Sequence, residues 1–207
     1  MSLLEILEYS SVFIFALTGA LVASRAQLDP VGFFFIAALT AVGGGTVRDL
    51  LLDRNPLFWI DKPIVLVIAA VAAMGTFFTA HLLESRLKTL TWLDAAALAV
   101  AVPTGVGVAV NQSQEWPIVL IMGVTTGCFG GLMRDVVCNE VPLVLKQGEL
   151  YISAAFIGAA AAMLAIGAGI TQPVALMLCA GVTFALRAGS LALGWSMPAY
   201  KSRPPRQ

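Results

Sequence analysis

Two stretches of the 207-residue chain set an arginine–aspartate pair three residues beyond a run of glycines. They are Gly43-Gly44-Gly45-Thr46-Val47-Arg48-Asp49 and Phe129-Gly130-Gly131-Leu132-Met133-Arg134-Asp135. Glycine in a helix interior costs about 1 kcal/mol relative to alanine. Consecutive glycines therefore predict a kinked or broken helix with freed backbone carbonyls. In lipid, such carbonyls must be satisfied by protein or by water in a cavity. A third arginine, Arg187, lies in an apolar stretch eight residues before Trp195, roughly 12 Å of helix rise. It faces a polar path, or pairs with Asp49 or Asp135, or snorkels to an interface. Thr18-Gly19 and Thr104-Gly105 are the remaining polar mid-span dipeptides, suited to close packing or to a polar pore wall.

Motifs of soluble enzymes do not fit. The glycine run lacks the spacing of a dinucleotide-binding turn or a phosphate-binding loop. No serine sits in a nucleophile elbow. His81 is the only histidine, and Cys128, Cys138 and Cys179 form an odd set without C-x-x-C spacing. No enzyme, resident metal or cofactor is expected.

The elements that must position these residues follow from composition. Hydrophobic residues make up 59% of the chain and charged residues 12%, with a mean hydropathy of +0.90. A soluble domain carries roughly 45–50% and about 25%. Twelve basic residues balance twelve acidic ones, so no basic patch calls for nucleic acid. Continuous apolar stretches run at about 5–23, 31–52, 63–83, 92–110, 117–138, 150–169 and 173–195. Each is near the ~20 residues a membrane-spanning helix needs. The reading is an all-α membrane protein of seven transmembrane helices in one domain over 1–200, followed by a basic cytoplasmic tail, 197–207. The N-terminus lacks the basic region of a signal peptide, so the first stretch is expected to remain as a span. Basic residues near span ends favour an N-terminus outside and a C-terminus in the cytoplasm. Trp59, Trp92, Trp116 and Trp195 fall at span ends, as interface anchors do.

A shift of 86 residues superimposes one half on the other. Thr18-Gly19 falls on Thr104-Gly105, Thr40 on Thr126, Gly44-Gly45 on Gly130-Gly131, Arg48-Asp49 on Arg134-Asp135, and Pro56-Leu57 on Pro142-Leu143. Repeat one then spans 1–86, repeat two 87–172, and helix seven 173–196. Three helices per repeat make the second copy enter the membrane from the opposite side, giving inverted repeats. Interrupted helices at matching places in such halves point to a transport path. The other reading is close packing. Ala37, Ala41 and Gly45, and their shifted equivalents Gly123, Gly127 and Gly131, form small-residue stripes that let helix backbones touch.

These signatures, the seventh helix and the Gly194-Trp195-Ser196-x-Pro198-x-Tyr200 ending resemble the prokaryotic trimeric intracellular cation (TRIC) channels. The same domain family is also labelled glycine transporter, or UPF0126. The resemblance covers roughly residues 3–200. It implies a homotrimer in the cell membrane with one pathway per protomer, permeable to potassium and other monovalent cations. It also implies kinked second and fifth helices lining that pathway through Gly43, Gly44, Gly45, Arg48, Gly130, Gly131 and Arg134. The second signature has two glycines instead of three, so its bend is expected to be the smaller. Asn139-Glu140-Val141 stands where animal members carry Lys-Glu-Val, so their phosphoinositide dependence is not implied. The alternative function is a secondary transporter for a small zwitterion such as glycine. Asp49 and Asp135 are the candidates to neutralise the arginines beside a cation path.

Overall fold

The computed structural model describes residues 1–82 and 85–198. The expected basic tail lies almost wholly outside the described residues. The helices are α1 (Leu3–Arg25), α2 (Pro30–Leu51), the single turn α3 (Phe58–Asp61), α4 (Ile64–Thr79), α5 (Arg86–Asn111), α6 (Trp116–Val137), α7 (Ile152–Gly167) and α8 (Gln172–Leu193). A 3-10 turn, Ala80–Leu82, continues α4, and another, Leu143–Leu145, follows α6. Among the described residues, α1, α2, α4 with its 3-10 turn, α5, α6 and α8 are long and apolar enough to cross a membrane. The apolar α7 has 16 residues, about 24 Å of rise against a hydrocarbon core of about 30 Å.

The polar breaks act as helix stops and starts. Ser2 and Glu5 form a reciprocal capping box on α1, with the Glu5 N–H donating to Ser2 Oγ at 3.2 Å and the Ser2 N–H to Glu5 Oε2 at 3.0 Å. Asp29 Oδ1 accepts from the Gly32 N–H at 2.7 Å, and Pro30 opens α2. Gly194, at φ +72°, ends α8 in the left-handed conformation that glycine adopts without strain.

Helices α1 and α5 form the centre. Helix α1 packs on α2, α4 and α5, and α5 packs on α6, α7 and α8. One apolar core lies around Phe15, Ile36 and Val65, and a second around Leu98, Val106, Met122 and Leu176. The outward faces of α2, α4 and α8 expose Phe35, Val71, Phe78, Val174 and Met177. That is the pattern of a bundle whose surroundings are as apolar as its interior.

The glycines do not break their helices. Both α2 and α6 run as uninterrupted α-helix through Gly43–Gly45 and Gly130-Gly131, so the break that consecutive glycines allow is not present in this conformation. The glycines let backbones touch instead. A Cβ on Gly44 would collide with the Thr126 carbonyl, and one on Gly130 with the Thr40 carbonyl. Thr40 and Thr126, like Gly44 and Gly130, are 86 residues apart, so the α2–α6 crossing is reciprocal. The same holds beside it: a Cβ on Gly19 would meet Ile36 O and Thr40 Oγ1, and one on Gly105 would meet Met122 O and Thr126 Oγ1. The small-residue stripes serve other contacts within the chain. Ala37 lies under Gly19 of α1, Gly123 and Gly127 face Val102 of α5, and Gly45 faces the Phe58 ring.

Alanine at Gly44 or Gly130 is therefore expected to destabilise by about 1–3 kcal/mol, as overpacking does. Gly75, with nothing within 4 Å of its Cβ position, is the control, where alanine should be neutral or slightly stabilising. Thermal unfolding midpoints of the purified variants in detergent check this. Equal midpoints for all three would mean that the crossing is not tight.

Candidate functional site: two buried arginine–carboxylate triads

Arg48 and Arg134 stand in the last turns of α2 and α6 and are no more than 1% exposed. An unpaired charge there would carry a penalty of several kcal/mol, and both guanidinium groups are paired twice. Arg48 Nε donates to Asp49 Oδ1 at 2.7 Å, and its Nη2 to Glu8 Oε1 at 3.2 Å. Arg134 Nε donates to Asp135 Oδ1 at 2.7 Å, and its Nη1 to Asp94 Oδ1 at 3.1 Å. Glu8 and Asp94 are themselves 86 residues apart and lie on α1 and α5. Each arginine is thus clamped between the next residue and an acid 40 residues earlier. Snorkelling does not describe either side chain.

The second oxygen of each aspartate ties down the chain that follows. Asp49 Oδ2 accepts from the Phe58 N–H at 2.9 Å, and Asp135 Oδ2 from the Leu143 N–H at 2.8 Å. These bonds fold the segments after α2 and α6 back over the glycine faces. The Phe58 ring lies 5.3 Å from the Arg48 guanidinium carbon, in cation–π range. Sequence patterning missed the returning turns α3 and Leu143–Leu145, because both fall in stretches read as polar breaks.

The two ends differ in access. Beside Arg48 a cavity of about 10 Å³ is bordered by Glu8, Ser11, Gly44, Thr104 and Thr126, about the room one water needs. A larger space of about 230 Å³ lies beyond it, lined by Glu5, Glu8, Arg54, Lys62, Asn111 and Gln112. Lys62 reaches Glu5 Oε1 at 2.8 Å, and this hydrogen bond raises the ammonium pKa above its ordinary value. Arg54 approaches Asp49 Oδ1 at 3.7 Å. At the Arg134 end, Nη1 also donates to Thr18 Oγ1 at 2.9 Å. Thr18 and its counterpart Thr104 each donate to a carbonyl of their own helix, Phe15 at 2.8 Å and Val100 at 2.7 Å, and Thr18 alone also accepts from an arginine. Gly131 is enclosed by Asp94 Oδ1, Tyr151 Oη and Arg134 Nη2, at 3.4, 3.5 and 3.6 Å from its Cβ position.

Arg187 is fully buried but pairs with neither Asp49 nor Asp135. Its Nη2 donates to Glu149 Oε2 at 2.7 Å, and its guanidinium carbon lies 4.8 Å from the Tyr151 ring centre. Of the sequence alternatives, pairing with Asp49 or Asp135 and snorkelling are not seen; Glu149 was not a candidate because it sits in a loop whose equivalent 86 residues earlier is Pro63. Glu8 and Asp94 were also missed, although the 86-residue shift sets one acid on the other.

Because Nε and an Nη of each arginine serve different carboxylates, a lysine ammonium cannot reproduce the clamp. Arg48→Lys and Arg134→Lys are each expected to lower the thermal midpoint by several degrees, corresponding to about 2 kcal/mol or more. Wild-type midpoints in both variants would show that the forked geometry is dispensable.

A family model described as glycine transporter matches the chain twice, over residues 5–81 and 91–166. A UPF0126 membrane protein of Vibrio cholerae is 36% identical over 96% of this chain and 83% of its own length. The UPF0126 inner membrane protein YadS of Escherichia coli is 40% identical over 73% of each chain. Among solved structures, a TRIC trimeric intracellular cation channel orthologue from Rhodobacter sphaeroides is 40% identical. Its TM-score is 0.91, over 94% of this chain and 100% of that one. A second structure, from work on conductance through TRIC cation channels, is 30% identical, with a TM-score of 0.86 over 98% and 100%. The twofold match, the spacing of its two copies and the close structural agreement lead to one conclusion: the chain belongs to the UPF0126 membrane proteins, the family of the prokaryotic TRIC channels whose domain is also labelled glycine transporter.

Proposed function

We propose that this protein is a passive channel for monovalent cations, potassium among them, with the pathway inside each protomer between α1, α2, α5 and α6. The observation that carries this reading is the charge of the triads. Arginines beside a path argue against cations if they stand alone. Here one guanidinium meets two carboxylates at each end, Glu8 with Asp49 and Asp94 with Asp135. The Arg134 triad carries a formal charge of −1 and the Arg48 triad is balanced by Arg54 on Asp49, so neither end presents net positive charge to an approaching ion. Thr18, Thr104, Thr40 and Thr126 supply oxygens between the two ends. The glycine crossing of α2 and α6 sits at the constriction. Opening requires this contact to loosen, and Gly43, Gly44, Gly45, Gly130 and Gly131 are where the helices bend most cheaply.

The assembly proposed is a homotrimer in the cell membrane, after the trimeric channel orthologue of Rhodobacter sphaeroides. Seven spans place α1, α2 and α4 in one repeat and α5, α6 and α7 in an inverted second, with α8 outside both. The N-terminus then lies outside and the C-terminus in the cytoplasm. A second reading, a secondary transporter for glycine or a similar zwitterion, is favoured by the one-sided access, since a path open at one end and closed at the other suits alternating access.

Purified protein in planar bilayers separates the two. The channel reading expects discrete current steps that reverse near the potassium equilibrium potential in a potassium chloride gradient. Accumulation of labelled glycine by proteoliposomes, without current steps, would overturn it and select the transporter. Native mass measurement of the same sample is expected to give three subunits.

A further inference from the structure

We propose that Glu8 is the residue that makes the path prefer cations over anions, an inference that rests on the channel reading. Glu8 borders both the outer space of about 230 Å³ and the inner cavity of about 10 Å³, and no other residue borders both. An ion moving from one space to the other passes this side chain. The remaining charges of the outer space are already matched. Glu5 and Lys62 pair at 2.8 Å, and Arg54 leans on Asp49.

Glu8 is also the less tightly held acid of its triad. Its contact with Arg48 is 3.2 Å, against 2.7 Å from Arg48 to Asp49; charge-assisted bonds of this kind usually measure about 2.7–2.9 Å. One Glu8 oxygen serves Arg48, and the side chain retains 10% of its accessible surface. Its counterpart Asp94 retains 0% and is one methylene shorter. The acid at the Arg48 end can therefore face an ion, whereas the acid at the Arg134 end is sealed in packing. Without Glu8, only Glu5 and Asp49 face Lys62, Arg54 and Arg48, and the entrance carries a net positive charge.

Bilayer recordings of the parent, Glu8→Gln and Glu8→Asp in a tenfold potassium chloride gradient test this. The amide keeps an acceptor for Arg48 and is expected to leave the fold and assembly intact. The potassium-to-chloride permeability ratio should fall at least tenfold in Glu8→Gln, since a unit charge some 10 Å away at an effective dielectric near 20 changes each ion's occupancy by about tenfold, in opposite senses for the two ions. Glu8→Asp should stay within about twofold of the parent, since it keeps the charge. A parent without current steps would refute the channel reading itself. A conducting parent with an unchanged ratio in Glu8→Gln would refute the role of Glu8 alone. If Glu8→Gln fails to assemble, Glu8→Cys in a chain with Cys128, Cys138 and Cys179 replaced by alanine takes its place. An anionic methanethiosulfonate should raise cation preference and a cationic one lower it. The same response to both reagents, or a response to neither, would overturn the assignment.

Discussion

The structure depends on keeping two guanidinium groups charged in its interior. Arg48 and Arg134 lie out of contact with bulk solvent, so each requires two carboxylates in fixed places. That requirement reaches far beyond the site. It fixes the height of α1 against α2 through Glu8, and of α5 against α6 through Asp94. It directs the segments after α2 and α6 back onto the bundle through the second aspartate oxygens. It also calls for close approach of the four central helices, which the glycines at 19, 44, 105 and 130 permit by removing every Cβ that would meet a facing carbonyl or hydroxyl. Charge pairing and glycine packing are thus two parts of one constraint.

Much of this was legible in the sequence. The apolar stretches follow from composition, and apart from the start of α5 their ends fall within two residues of helix ends. The 86-residue shift pairs Gly44 with Gly130 and Thr40 with Thr126, the four residues that meet at the crossing. Consecutive glycines predict a kink or a break, but propensity is a weak prior, and a helix held on all sides by packing tolerates glycine without interruption. Glu8 and Asp94 escaped notice because a single acid early in an apolar stretch reads as a boundary residue. Their meaning appears only when the two halves are overlaid. Glu149 lay beyond any such rule, since it has no counterpart in the first repeat.

The departures from internal symmetry are as informative as the symmetry. The first end covers its arginine with a phenylalanine and opens onto a polar space beside Glu8. The second end adds Tyr151, Arg187 and Glu149, and its arginine holds Thr18 of the opposite half. Both threonines donate to a carbonyl of their own helix, and only Thr18 also accepts from an arginine.

A double-mutant cycle at the second end tests the claim on which the account rests, namely that the buried arginine and the acid on the neighbouring helix stabilise each other. Unfolding of the parent, Arg134→Met, Asp94→Leu and the double variant would be followed in the same detergent. Arg134→Met should cost about 3–5 kcal/mol by stranding two buried carboxylates, Asp94→Leu less because Arg134 keeps Asp135, and the double variant should recover at least about 1 kcal/mol relative to the sum. Strict additivity of the two single losses would contradict the account.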